Sequence, residues 1–196
     1  DHDGMWFGSL RAGLFHWKQN QTVEAYGKKN GLTNTLVVSL LRERDTANVL
    51  IGTTGSGVQK LVDGSFQTPE QLNDLQEGVV TYLVNDRSNG IWIGTKDGLF
   101  YLNQEQLLKF AKEQGLYRTY VKCLLFDSHG VLWVGTDGGL FRVIDKNIDF
   151  VPLEGISGHS IEALFEDHEG SLWVGTFGRG LHQLRDSPFQ VFNTSN

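Results

Sequence analysis

The sequence predicts an all-β fold of the β-propeller type, and two observations carry that prediction. A short phrase, in its commonest form apolar-Trp-apolar-Gly-Thr, recurs five times with a period of about 40 residues. Residues typical of turns flank each copy, and the runs between them are either apolar throughout or alternate between apolar and polar residues, as is typical of short strands. Such repeats bury their apolar faces against their neighbours, as propeller blades do. The copies begin at Met5, Val49, Ile91, Leu132 and Leu172.

The first turn of the repeat precedes the phrase and carries an aspartate and a glycine. It reads Asp-Ser-His-Gly at 127–130 and Asp-His-Glu-Gly at 167–170. Aspartate can bond its own backbone in a turn, and glycine supplies a positive φ at low cost. A second turn follows the phrase and ends in glycine and then an apolar residue, as at Gly139 and Leu140. These two turns predict successive hairpins, and so four strands per repeat.

The four strands are predicted to differ in burial. The first is apolar on both faces, which indicates burial on both sides, and the fourth is short and more polar. This gradient suits five radial blades of four antiparallel strands. The first strands are predicted at 37–41, 79–84, 121–126 and 161–165, and the blades at 1–30, 31–73, 74–115, 116–155 and 156–196.

The recurring glycine and tryptophan are predicted to have structural roles. Glycine inside a strand marks a close approach, so Gly52, Gly94, Gly135 and Gly175 are predicted to pack tightly against a neighbouring blade. The tryptophan supplies a large apolar contact, and its indole N–H needs a partner. Leu50 stands in its place in the second repeat, which indicates a packing role.

The whole pattern, an apolar strand, Asp-x-x-Gly, x-Leu-Trp-x-Gly-Thr and x-x-Gly-Leu, resembles the two-component regulator propeller repeat. The resemblance covers essentially the whole chain, with departures at Ser9, Leu50 and 47–48. It implies the periplasmic sensor region of a bacterial inner-membrane receptor. A β-sandwich domain, a membrane helix and a histidine kinase, hybrid kinase or diguanylate cyclase would follow. The family's catalytic residues lie in those output parts, so the resemblance implies none here.

Composition narrows the function classes. The formal net charge of −6 is spread without long runs, which speaks against nucleic-acid binding. No apolar run approaches the roughly 20 residues of a membrane helix, so no membrane contact by this segment is expected. The six histidines lack metal-ligand spacing, and we predict no metal and no cofactor. Cys123 is predicted to be a buried thiol rather than a reactive one.

The first repeat begins at its turn and has no inner strand, so the sequence predicts about 19 strands. We expect an open or incompletely closed propeller whose exposed blade edges pair between molecules in a homo-oligomer. A closed five-bladed ring with a thin first blade is the alternative.

Candidate binding residues lie in loops that vary among the repeats while their flanks do not. The loops after the phrase and those linking successive blades are expected to share one face. Basic residues there could bind an anion such as a uronate, and aromatic residues could stack on a sugar ring. For each, an ordinary solvated loop residue is the alternative. The candidates are Arg11, Lys96, Asp97, Tyr117, Asp137, His159, Phe177 and Arg179. Residues 104–114 are predicted to form a short amphipathic helix beside the third blade.

These observations predict a non-enzymatic sensor segment that binds a ligand. The saccharide class comes from the family resemblance. An interaction or dimerisation scaffold without a small ligand is the first alternative. A propeller lyase is the second, and it would need an acid and a base that converge on the central channel.

Overall fold

The computed structural model describes residues 4–44, 46–103, 106–110, 116, 119–185 and 190–192. Within these ranges the chain forms 19 strands in five antiparallel sheets, each in sequence order. The first sheet has three strands and the other four have four, which confirms the predicted all-β blades.

The first three sheets follow one another along the chain. They contain β1 Met5–Ser9, β2 Gly13–Trp17 and β3 Val23–Tyr26; β4 Val37–Arg42, β5 Val49–Thr53, β6 Val58–Val62 and β7 Ser65–Gln67; and β8 Val80–Asn85, β9 Ile91–Thr95, β10 Gly98–Leu102 and β11 Leu107–Lys109. Short 3-10 helices at Lys28–Asn30 and Glu70–Leu75 lie in the connections that follow the first and second sheets.

The last two sheets repeat the same plan. They contain β12 Val121–Phe126, β13 Leu132–Thr136, β14 Gly139–Ile144 and β15 Asn147–Val151; and β16 Ile161–Glu166, β17 Leu172–Thr176, β18 Gly180–Leu184 and β19 Gln190–Phe192. No helix in the described part of the chain is long and apolar enough to cross a membrane.

The helix predicted over 104–114 is wrong at its centre, because Leu107–Lys109 forms the outer strand of the third sheet. Residues 104, 105 and 111–114 lie outside the described residues. The strand Leu107–Lys109 pairs with β10 and completes a four-stranded sheet, as β7 does in the second sheet. Pairing with the rest of the sheet therefore decides the structure of this segment, and its local helical pattern does not.

The chain divides into two compact units. The first comprises Asp1–Thr95 and Phe100–Leu108, and the second comprises Lys96–Leu99 and Lys109–Asn196. The predicted blade boundaries and the single-domain description stay predictions.

Each sheet has two faces, which we name by the glycine of the recurring phrase. The glycine face carries that glycine, and the reverse face carries the apolar residue just before it. In the first unit, the glycine face of the first sheet packs Leu14 with Val37 and Ile51 of the second sheet. The glycine face of the second sheet likewise packs Leu50 with Ile93 of the third.

The second unit repeats this packing between the fourth and fifth sheets. Leu140 on the glycine face of the fourth sheet packs in one cluster with Ile161 and Val174 of the fifth. The core therefore lies between sheets, glycine face against reverse face, in both units.

The recurring glycine is required at these contacts. A Cβ on Gly8 would lie 2.6 Å from Val37 Cγ1, and one on Gly52 would lie 2.7 Å from Val80 Cγ1. These distances are far below ordinary van der Waals contact. The predicted close approach to the next sheet is thus confirmed at Gly52, and Gly8 shows the same contact without having been predicted. The prediction is wrong for Gly175, where the nearest atoms to a Cβ belong to Ala163 of the same sheet, at 3.5 Å.

Every inner strand contains a bulge that the sequence analysis did not predict. The register with the second strand shifts between the first and third residues of β4, β8, β12 and β16, which leaves one residue extra in each. These residues are Val38, Thr81, Lys122 and Glu162. A bulge bends the strand and re-aims the extra side chain. Two of the four carry charge, and they belong to the site described below.

The predicted burial of inner strands on both faces is wrong for β16. Phe165 is largely exposed there, and Ala163 is exposed as well. The corresponding Cys123 of the fourth sheet is buried. The difference follows from packing, since β12 has the fifth sheet against its glycine face.

Candidate functional site

The turn aspartate and the tryptophan of the phrase form one hydrogen-bonded unit. Asp127 Oδ2 accepts the indole N–H of Trp133 at 2.8 Å, and its Oδ1 accepts the backbone N–H of Val131. Asp167 repeats this geometry with the indole of Trp173 at 2.7 Å. The indole therefore finds its partner in the turn six residues earlier in the chain.

The indole bond also sets the ionisation of the turn carboxylate. The hydrogen bond from Trp173, followed by backbone bonds from Ser171 and Glu169, holds the pKa of Asp167 below its ordinary value of 3.8. The hydrogen bonds of the folded turn therefore stabilise the charged form of Asp167.

In the second and third sheets, side chains other than tryptophan also contact the carboxylate of this turn. In the third sheet the Tyr101 hydroxyl donates to Asp86 Oδ2 at 2.8 Å, and burial followed by this bond raises the pKa of Tyr101 to about 12. In the second sheet Leu50 replaces the tryptophan, and Lys60 across the strand pair reaches Glu43 at 2.8 Å. In the second sheet, where Leu50 replaces the tryptophan, the carboxylate of Glu43 therefore has Lys60 as its partner.

The loops after the phrase lie beside the linkers that enter the inner strands, as predicted. In the first unit, Thr54 N–H donates to the carbonyl of Leu36. In the second unit, Asp137 and Phe177 donate their backbone N–H groups to the carbonyls of Tyr120 and Ser160 at 3.0 and 2.9 Å. In each unit these bonds bring loop and linker together at one end of the sheets.

The second unit gathers charged and aromatic side chains at this end. Arg179 Nε donates to His159 Nε2 at 3.0 Å, and the Phe177 ring lies two residues from Arg179 with three quarters of its surface exposed. The bulged residues connect to them through Ser160, whose carbonyl accepts the Phe177 backbone N–H and whose hydroxyl donates to Glu162. Lys122 Nζ in turn lies 2.5 Å from Glu162 Oε1. We call this group the polar loop cluster; it consists of Tyr120, Lys122, His159, Ser160, Glu162, Phe177 and Arg179.

Hydrogen bonds connect the cluster. Ser160 Oγ donates to Glu162 Oε1 at 2.8 Å, and Lys122 Nζ lies 5.6 Å from the centre of the Tyr120 ring. The bond from Lys122, followed by that from Ser160, holds the pKa of Glu162 below its usual range. The cluster thus presents two cations, one carboxylate and an exposed aromatic ring on neighbouring sheets.

The structure brings together three of the candidates predicted from sequence: His159, Phe177 and Arg179. Asp137 lies in the same unit, where its carboxylate accepts the backbone N–H of Tyr120 at 3.0 Å, a structural role in the loop. Tyr117 lies outside the described residues.

The other predicted candidates occupy separate turns. Arg11 is exposed in the turn between β1 and β2 in the first unit. Lys96 and Asp97 form the exposed turn between β9 and β10. Their assignment as binding residues stays a prediction.

Sequence reasoning missed Lys122, Ser160 and Glu162. The signal was a charged residue at the second position of an otherwise apolar inner strand, in both repeats of the second unit. Cys123, beside Lys122, is buried as predicted, and burial raises the pKa of its thiol to about 12. Among the described residues, no three His, Cys, Asp or Glu side chains are grouped so as to hold a metal ion.

Comparisons with known proteins agree with the repeat pattern. Residues 118–138 and 155–178 match the family described as Two component regulator propeller. Both stretches lie in the second unit and include most of the polar loop cluster. No curated protein matches the sequence.

Two solved structures from B. thetaiotaomicron are similar over nearly the whole chain. The extracellular domain of BT4673, assigned to a one component system, matches at 25% identity and a TM-score of 0.77. That match covers 96% of this chain and 27% of the other. The extracellular domain of BT3049, assigned to a hybrid two component system, matches at 21% identity and a TM-score of 0.75, over 95% and 25% of the two chains. This chain spans about a quarter of either.

An enzyme shares the fold as well. Virginiamycin B lyase from Staphylococcus aureus matches at 10% identity and a TM-score of 0.73, over 95% of this chain and 65% of that one. At this identity the likeness shows the fold alone.

Proposed function

Because this chain carries two component regulator propeller repeats, we propose that it is a non-enzymatic sensor segment of a bacterial signalling receptor and lies in the periplasm. The observation that carries the proposal is the match to the extracellular domain of BT4673, at 25% identity over 96% of this chain. The longer parent would add the membrane span and the output module, a histidine kinase, a hybrid kinase or a diguanylate cyclase.

The polar loop cluster is the proposed ligand site, and its chemistry favours an anionic saccharide. A guanidinium has five N–H donors in a planar fork that matches a carboxylate. One donor of Arg179 goes to His159, which orients the group. The exposed ring of Phe177, two residues away, offers an apolar face for a sugar ring.

The bulged residues extend this site. Lys122 and Glu162 form a partly exposed ion pair, with exposed side-chain fractions of 25% and 40%. Partly exposed pairs contribute about 0–1 kcal/mol to stability, so a ligand can exchange these partners at small cost. A uronate carboxylate would compete with Glu162 for Lys122, while sugar hydroxyls would replace the bond from Ser160.

A thermal-shift screen of the purified chain tests the proposal. A panel of neutral and uronate-containing oligosaccharides is titrated, and binding raises the Tm because ligand binds the folded state. We expect uronate-containing oligosaccharides to raise the Tm and neutral ones of equal length to raise it less. A panel in which no oligosaccharide shifts the Tm would contradict direct sensing of a saccharide.

Two arginine variants locate the site. Arg179→Gln should abolish the shift caused by uronate oligosaccharides. Arg142→Gln is the matched control, because Arg142 is an exposed arginine of the same unit that faces Asp149 on an outer strand pair. If both variants keep the shift, the ligand site lies elsewhere; if both lose it, the effect is general electrostatics.

A further inference from the structure

The contact between His159 and Arg179 specifies the protonation state of the histidine ring. Arg179 Nε donates to His159 Nε2 at 3.0 Å, so Nε2 accepts this hydrogen bond and carries no proton. In a neutral imidazole the single proton then lies on Nδ1. The His159 ring is therefore neutral whenever this contact is present.

The other ring nitrogen has no role in holding the fold together. His159 Nδ1 is buried and has no hydrogen-bond partner among the described residues. A buried N–H without a partner destabilises a folded protein, and such groups are uncommon in native structures. The hydrogen bond that the ring does make comes from the guanidinium of the proposed ligand site. This indicates that the ring serves the site.

A proton on His159 Nε2 would oppose the contact with Arg179. Both nitrogens would then be N–H donors on cationic groups, only 3.0 Å apart. A carboxylate removes this conflict, because its two oxygens can accept one hydrogen bond from each donor. The neutral ring is thus favoured without a bound anion, and the charged ring is favoured with one.

The carboxylates of the surrounding segments are engaged elsewhere or exposed. In the turn between β13 and β14, Asp137 accepts the backbone N–H of Tyr120. On the bulge of β16, Glu162 is paired with Lys122. Glu154 lies exposed in the linker that also carries His159. Within the described residues, the charged side chain that contacts the His159 ring is that of Arg179.

A second histidine contacts the same loop, but its bond is insensitive to charge. His182 Nε2 lies 3.0 Å from the carbonyl oxygen of Arg179, which can only accept, so His182 Nε2 donates. This bond persists when His182 gains a proton, since both ring nitrogens of an imidazolium are donors. The contact that protonation breaks is therefore the one at His159.

We propose that a ligand carboxylate binds between His159 and Arg179 and that His159 takes up a proton when it does so. The proposal rests on the proposed function, because it assigns the uronate carboxylate a place in the polar loop cluster. The proton comes from solvent and is added to His159 Nε2, and no covalent bond of the ligand changes. In an oligouronate, the carboxylate of another sugar remains available to Lys122. Binding is therefore tighter at acid pH, within the range of about pH 5–8 in which histidines commonly change charge.

Isothermal titration calorimetry of the purified chain with trigalacturonate tests this linkage. Uronate carboxylates are ionised at both about pH 5.5 and about pH 7.5, whereas the charged fraction of an ordinary histidine falls about 10-fold between them. The wild type should bind more tightly at the lower pH, by up to about 10-fold. At the higher pH, titrations in buffers of different ionisation enthalpy should show uptake of up to about one proton per ligand.

His159→Gln removes the proton site and retains an acceptor for Arg179. Its affinity for trigalacturonate should be the same at both pH values, without proton uptake. His168→Gln is the matched control, because His168 is an exposed histidine of the same unit in the turn between β16 and β17. It should show the pH dependence of the wild type. Circular dichroism confirms that both variants fold, and the measurement of proton uptake by the wild type needs no variant.

Two results would overturn the proton linkage and leave the proposed function standing. The first is a wild-type chain that binds trigalacturonate equally well at both pH values and takes up no proton. The second is a His159→Gln variant that keeps the pH dependence of the wild type. A wild-type chain that does not bind trigalacturonate at either pH would overturn the uronate site itself, and the linkage with it.

Discussion

In the fourth sheet a Cβ on the recurring glycine would overlap Cys123 and lie 2.8 Å from Ile161 of the next sheet, whereas in the fifth sheet the nearest atoms belong to Ala163 at 3.5 Å. The hairpin bond is the same in both, since the indole N–H reaches the turn aspartate at 2.8 Å in one and 2.7 Å in the other. The recurring residues thus form two sets. Aspartate and tryptophan hold their own sheet together, and glycine admits the next sheet.

Substitution of Gly135 and Gly175 should give the largest difference in stability between the fourth and fifth sheets. Gly135→Ala should destabilise the protein by about 2–3 kcal/mol, because overpacking a buried contact typically costs about 1–3 kcal/mol. Gly175→Ala should change stability by less than about 0.5 kcal/mol, as ordinary van der Waals space is present. Urea unfolding followed by tryptophan fluorescence measures both. Equal losses would show that the need for glycine does not depend on the side chains that pack against it, Cys123 and Ile161 in the fourth sheet and Ala163 in the fifth.

The tryptophans should behave alike in the two sheets. Trp133→Phe and Trp173→Phe each remove the indole donor and leave the turn carboxylate one bond short, which costs about 1–2 kcal/mol. Each tryptophan is partly buried, so lost packing adds a similar amount in both sheets. Thermal unfolding of the two variants provides the comparison. A loss much larger for Trp133 than for Trp173 would indicate that the indole acts mainly across sheets.

Acid should lower the stability of the protein by less than the glycine and tryptophan substitutions do, and part of its effect should come from Asp167 in the turn of the fifth sheet. The indole bond lowers the pKa of Asp167 in the folded protein, so its contribution is present above the unfolded value near 3.8 and is lost as pH falls through the folded value. Asp167→Asn should therefore reduce the Tm at pH 6 and show a smaller further decrease than the wild type below about pH 3.8. Glu169→Gln, in the same exposed turn, is the control. Parallel pH profiles for Asp167→Asn and the wild type would contradict this account.

Much of the fold could be predicted from the sequence because the repeat encodes it locally. The turns, the strands and the close approach at Gly52 follow from residue types that are uncommon at such positions unless the backbone requires them. The need of the indole for a partner was also predictable. Its identity was not, because that depends on how a turn folds back on the strand that follows it.

The bulges and the polar loop cluster were harder to predict. A charged residue in an apolar strand looks like an exception until the register is known, and Lys122 and Glu162 become neighbours because the bulge aims both side chains toward the same end. The outer strand at Leu107–Lys109 was mistaken for a helix because three residues carry too little periodicity to decide.

The pairing of aspartate with tryptophan also bears on how the chain reaches its structure. Its two partners are separated by six residues, so the loop they close costs little entropy. Hairpins with such short closures form in about 1–10 µs, well before contacts between distant segments. We therefore expect that any hairpin with this hydrogen bond can form first in folding. The slow step of folding is then the packing of the formed sheets against one another.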